Sequence, residues 1–482
     1  MKKNIASDLM RKRKGTLMEL NVLQYLLINN LMYMKPQNGP FPDLCDFEGR
    51  KLRTFMNSID LSGWQDDSGN PPMTSAKEYR DIVQAIRNDP LLMDLMVKTV
   101  YTDTSEKGGN CRFALFTSSR TNEAVIAFEG TEMAPGSPQW KDNFASANVS
   151  DSIQQIKALL WYRSVYKHFH LETRQVILTG HSKGGNKAKY IAILDETPKR
   201  CLSFNSEGFS DKFFQRYEEK IRERQNRIEN HIVNYDYVSL LLNDIGSETY
   251  YFGYNYGSGG FAETHIANTF LRFDEDGKPH MDIDENGRPV EMREFDAFCN
   301  SLLRSLDNER RTSILKTMNK VLDAILSLNR SMTMKETLST ILKIAEEESD
   351  RRNIAYFMAY MIRYEQANPE VTKHINTVLF LFDLEGISQY VKTAEQILNW
   401  EQDIFFMHFS FLTLSSVAAA IVRWMPEWLM KRLQADLEKR GIPLSRAQLK
   451  QLQMILIQTE ADLRTLTLSA EKLDRTVPEN IF

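Results

Sequence analysis

One stretch restricts this chain more than any other. QVILT at 175–179 runs into Gly180-His181-Ser182-Lys183-Gly184-Gly185 and then into NKAKYIAIL at 186–194. The apolar, β-branched run reads as a buried strand, and the run after the glycines reads as a helix. The chain must therefore turn from one into the other within a few residues. A G-x-S-x-G sequence in this strand–turn–helix setting puts the serine on a sharp, strained turn, with its hydroxyl exposed above the sheet. Side chains at the flanking positions would meet the adjoining strand and helix, so Gly180 and Gly184 are the elbow glycines. Ser182 is the candidate nucleophile.

The surrounding pattern fits a sheet that could carry such a turn. RFALFT (112–117), AVIAF (124–128), CLSFN (201–205) and HIVNY (231–235) read as further strands, and 153–166 keeps helical spacing. Strands alternating with helices predict an α/β fold with a mainly parallel sheet covered by helices on both faces. Near the start, LMELNVLQYLLINNLMYM predicts an amphipathic helix with Leu17, Leu20, Leu23, Leu27 and Leu31 on one face. After about residue 300 the β runs become scarce. Ile314, Leu315, Met318, Val321, Leu322, Ile325 and Leu326 keep helical spacing, and Thr333/Glu336 and Ser445/Gln448 look like capping boxes. The expected division is an α/β domain at 1–295 and an all-α region at 296–482.

A serine nucleophile needs a base and an acid that orients the base. Downstream histidines in the α/β part are His231, His265 and His280. His231 opens a strand, and His280 sits among hairpin-like turns. His265, in the loop GGFAETHIANTF, is the best placed to reach the elbow. For the acid, Asp236 directly follows HIVNY, at the carboxyl end of a strand where α/β sheets place their sites. Asp211 and Asp244 are rivals. The oxyanion hole calls for the backbone N–H of Lys183 and a donor from an earlier loop. AVIAF-Glu129-Gly130-Thr131 supplies such a loop, with Thr131 offering its N–H and hydroxyl.

Other signals are weaker. Lys+Arg 60 against Asp+Glu 64 leaves no basic field for nucleic acid, so no nucleic-acid partner is expected. Cys45, Cys111, Cys201 and Cys299 form no CxxC pair and read as free thiols. Asp282, Asp284, Asn286 and Gly287 begin like a calcium loop, but Arg293 stands where a bidentate Glu is needed and Pro289 interrupts it. No metal or cofactor is expected. The basic MKKNIASDLMRKRKG precedes a broken apolar run with no small-residue cleavage site, which suggests a cytoplasmic chain. The apolar segment 404–422 lacks acids and permanent bases but carries His408, Ser410, Thr413, Ser415 and Ser416. A buried bundle helix is expected there, with membrane association as the alternative.

Taken together, IAFEGT, QWKDNF, GHSKGGNKA, SFNSEGF, IVNYDYVSLLL and HIANTF, after ELNVLQYLLINNLMY, resemble the fungal-type class 3 triacylglycerol lipases. They resemble still more a bacterial family of uncharacterised lipase-like α/β hydrolases, and the likeness covers roughly 17–295. The resemblance implies an α/β-hydrolase fold, a Ser182–Asp236–His265 triad and an oxyanion hole at Thr131 and Lys183. It also implies hydrolysis of an ester or lipid through an acyl-enzyme. Two departures stand out. Glu129 occupies a position usually held by Arg, and the spacing from acid to histidine is shorter than in the fungal-type lipases. The alternative reading is a catalytically idle scaffold that binds a protein partner or membrane through its helical region.

Overall fold

The computed structural model describes residues 18–65, 74–103, 111–131, 146–254, 264–326, 334–368, 431, 434–435, 438–439, 441 and 443–468. Helices α1 (Val22–Met32), α2 (Leu52–Ser58) and α3 (Ala76–Asn88) come first. They lead into a seven-stranded sheet whose spatial order follows the chain: β1 (Met96–Asp103), β2 (Cys111–Thr117), β3 (Glu123–Phe128), β4 (Gln175–His181), β5 (Arg200–Phe204), β6 (Ile228–Val233) and β7 (Ser247–Tyr251). The pairs β1–β2 and β2–β3 are antiparallel. From β3 to β7 every pair is parallel.

Parallel neighbours need a crossover, and helices supply three of them. These are α4 (Ile153–His168), α5 (Lys183–Leu194) and α6 (Asp211–Arg224). Side chains alternate across each strand, so the sheet feeds two cores. Phe116, Val125, Ala127, Ile177, Leu202 and Phe204 share one core with the residues of α1. Phe113, Ile126, Phe128, Val176, Leu178 and Cys201 share the other with α4 and α5. β1 and β7 are strands the sequence pattern did not announce. They are the edges of the sheet, largely half-buried or exposed, so their sequences carry no continuous apolar run.

The first helix corrects an expectation. It is not amphipathic: Gln24 to Met32 are all buried, so it has no wet face. Leu20 precedes it, and Leu17 lies outside the described residues. Three polar residues that looked like solvent-facing interruptions, Gln24, Asn29 and Asn30, are buried with partners, whereas Asn21 is exposed as the N-cap. Tyr25 donates to Glu123 at 2.7 Å, and Asn29 donates to Thr179 Oγ1 at 2.8 Å. The side-chain donors of Asn29 and Asn30 are paired, which lowers the cost of burying them and removes the need for a polar stripe.

The chain divides into two compact units, Met1–Pro289 and Val290–Phe482. In the second, α7 (Val290–Ser305), α8 (Asn308–Leu326), α9 (Met334–Ile344), α10 (Glu348–Ala367) and α11 (Arg446–Leu468) are described. Phe298, Leu302, Leu342, Tyr360, Leu452 and Ile455 belong to one buried cluster there. Ser445 and Gln448 make the expected reciprocal cap at the start of α11, at 2.9 and 3.3 Å. Thr333 and the segment 404–422 lie outside the described residues. Among the described residues no helix is long and apolar enough to cross a membrane.

Candidate active site

β4 ends at His181 and α5 begins at Lys183, so Ser182 alone makes the turn between them. Its backbone sits at φ 56° and ψ −131°, a conformation that disfavours any side chain. The Ser182 N–H donates to the carbonyl of Phe204, the last residue of β5, at 2.9 Å. The turn is also tight in space. A Cβ on Gly180 would stand 2.2 Å from the carbonyl carbon of Gly184, and one on Gly184 would stand 2.0 Å from the carbonyl oxygen of Phe128. Only glycine lets the strand and helix approach this closely.

Three side chains from distant parts of the sequence meet here. His265 Nδ1 lies 2.7 Å from Asp236 Oδ1, and His265 Nε2 lies 2.8 Å from Ser182 Oγ. An ionised carboxylate only accepts, so Nδ1 carries the proton and Nε2 accepts from the serine hydroxyl. The other oxygen of Asp236 accepts the Ser239 N–H at 2.7 Å. Ser182, Asp236 and His265 are 7%, 1% and 3% exposed, so bulk water competes little for these bonds.

Ser182, Thr131 and Asp236 follow the carboxyl ends of β4, β3 and β6, one edge of the parallel sheet. The 129–131 loop lies against the serine, since a Cβ on Gly130 would stand 3.0 Å from Ser182 Cβ. Thr131 and Lys183 are both buried. The ammonium of Lys183 pairs with Glu207 at 2.7 Å, so what the residue can offer the serine is its backbone N–H at the start of α5. Glu129 pairs with Lys35 at 2.5 Å, both nearly sealed from solvent. The sequence reading missed Lys35, since nothing in a linear pattern ties a lysine after α1 to the end of β3.

The rival residues are engaged elsewhere. Asp211 lies in the first turn of α6 and accepts from Asn243 at 2.9 Å. Asp244 pairs with the buried Lys189 at 2.6 Å. His231 contacts the Tyr251 hydroxyl at 3.0 Å, and burial lowers its pKa to about 4. His280 pairs with Asp274 at 2.8 Å in the hairpin of β8 (Arg272–Phe273) and β9 (Pro279–His280). In the calcium-like loop, Asp282 pairs with Arg272 at 2.7 Å and Asp284 accepts from Asn234 at 2.7 Å. All four cysteines are free thiols.

No curated protein matches the chain. Similar solved structures include a Rhizomucor miehei lipase in its native propeptide complex, at 14% identity and TM-score 0.24, over 33% of this chain and 57% of that one. A triacylglycerol lipase from Penicillium expansum is similar at 11% identity and TM-score 0.24, over 33% and 71%. Lip2 lipase from Yarrowia lipolytica is similar at 11% identity and TM-score 0.28, over 47% and 76%. The chain thus spans little more than half the length of the Rhizomucor miehei lipase chain, 57%. Residues 86–247 match the family described as Mbeg1-like. That span holds Thr131, Ser182, Lys183 and Asp236, and His265 lies beyond it.

Proposed function

We propose that this chain is a serine hydrolase of the lipase-like α/β-hydrolase type, cleaving a carboxylic ester or lipid. The observation that carries the reading is the unbroken hydrogen-bond chain Asp236–His265–Ser182, with the serine on a strained turn. Ser182 Oγ attacks the ester carbonyl while His265 Nε2 takes its proton. The backbone N–H groups of Thr131 and Lys183 hold the developing oxyanion. His265 returns the proton to the leaving alcohol, and an acyl-enzyme remains on Ser182. Water, deprotonated by His265, then attacks the acyl carbonyl, the bond from the carbonyl carbon to Ser182 Oγ breaks, and His265 returns the proton to Ser182 as the acid leaves. Asp236 keeps the imidazole in the tautomer these steps need and stabilises its charged form.

The test is covalent labelling by a fluorophosphonate probe. The wild-type chain is expected to be labelled and Ser182→Ala not at all. Undiminished labelling of the alanine variant would move the nucleophile elsewhere. An unlabelled wild type would favour a binding role for the scaffold.

A further inference from the structure

Two residues that the hydrolase reading leaves unused sit behind His265. His181, the residue before the nucleophile, is 3% exposed, and its ring packs on that of His265 with centroids 4.9 Å apart. His181 Nε2 lies 2.7 Å from the main-chain carbonyl oxygen of His265. A carbonyl only accepts, so Nε2 carries the proton, and Nδ1 of the neutral ring is then an acceptor. The group 2.8 Å from Nδ1 is the hydroxyl of Tyr33, the residue that caps the C-terminus of α1. Tyr33 therefore donates. The bonds all run one way: Tyr33 O–H to His181, and His181 N–H to the His265 carbonyl.

The same pair borders the oxyanion loop. A Cβ on Gly130 would stand 2.3 Å from the Tyr33 hydroxyl and 2.6 Å from the His181 carbonyl oxygen. Burial and the neighbouring His265 both hold His181 well below its ordinary pKa. It therefore stays neutral, and adds no second positive charge when His265 takes up a proton.

We propose that Tyr33 and His181 are positioning residues: they grip the main chain of His265 and hold its imidazole within reach of Ser182. The need for a grip is physical. His265 lies on a loop rather than in a strand, and a general base must stay within about 2.6–3.2 Å of the atom whose proton it takes. A displacement of about 1 Å can cost about 100-fold in rate.

The inference rests on the hydrolase reading, so the test separates the two. The full chain is labelled with a fluorophosphonate at several probe concentrations, which yields the maximal labelling rate and the half-saturating concentration separately. Tyr33→Phe should lower the maximal rate by roughly 10-fold and His181→Leu by roughly 100-fold, with half-saturation unchanged in both. His181→Gln keeps an N–H near the place of Nε2 and should recover about 10-fold over the leucine variant. A wild-type rate in Tyr33→Phe, or a glutamine variant no faster than leucine, overturns the proposal while leaving the hydrolase intact. An unlabelled wild type overturns both. If His181→Leu does not fold, Tyr33→Phe decides alone.

Discussion

Asp236 spends one oxygen on His265 and the other on the Ser239 amide, so both its charge and its aim are set. Asp236→Asn would present an N–H where His265 needs an acceptor and favour the wrong tautomer. The labelling rate should fall by about 10⁴-fold, by analogy with the same change in serine proteases. Asp244→Asn should behave in the opposite way. It leaves the fully buried ammonium of Lys189 without its charge partner, which should cost about 3 kcal/mol of stability in a denaturant titration. Its labelling rate per folded molecule should match wild type. The reverse ranking would make Asp244 the acid. His231 carries a pH prediction. Its folded pKa of about 4 lies below the ordinary 6.5, so on acidification the unfolded chain binds the proton first. Its contribution is fully present above about pH 6.5, fades as the pH falls toward 4, and amounts to about 3 kcal/mol. His231→Phe should therefore lose less thermal stability than wild type between about pH 7.5 and about pH 5.

Among the described glycines, Gly184 of α5 makes the tightest approach, because the first turn of that helix lies against the end of β3. Gly184→Ala would drive a Cβ to 2.0 Å from a main-chain oxygen of β3, and backbone on both sides leaves little room to give. A loss of about 3 kcal/mol is expected, lowering the thermal midpoint by roughly 5 °C. A midpoint within a degree or two of wild type would mean that the elbow is looser than drawn. α1 shows the limit of reading an element from its own sequence. Its asparagines look like breaks in an apolar face, yet Asn29 bonds Thr179 on β4. The partner lies too far along the chain for any local window to include it.

For the whole molecule, the described site residues and all their hydrogen-bond partners named above lie within Met1–Pro289. A chain ending at Pro289 should therefore react with a fluorophosphonate at the rate of the full chain. A drop of more than about 10-fold would show that the second unit shapes the serine's surroundings.

The sequence by itself determined what depends on short spacing. The elbow was legible because its strand, turn and helix are contiguous and its glycines answer a local clash. The inner strands β2 to β5 were legible from short apolar runs, as strands buried on both faces tend to be. Only part of β6 was legible: it runs Ile228–Val233 rather than 231–235, because its opening Glu229-Asn230 breaks the apolar run. Asp236 and His265 were legible as candidates because chain order and strand ends narrow the choice. What the tertiary structure alone decided are the pairings between distant parts of the chain. Lys35 with Glu129, Tyr33 with His181, and Lys189 with Asp244 join segments far apart in sequence. A buried polar group is tolerated only when a partner reaches it, and which partner does so is set by how the helices and loops lie on the sheet. The edge strands β1 and β7 belong with these pairings. Their strand character comes from the neighbour they bond to, and that neighbour exists only once the sheet has formed.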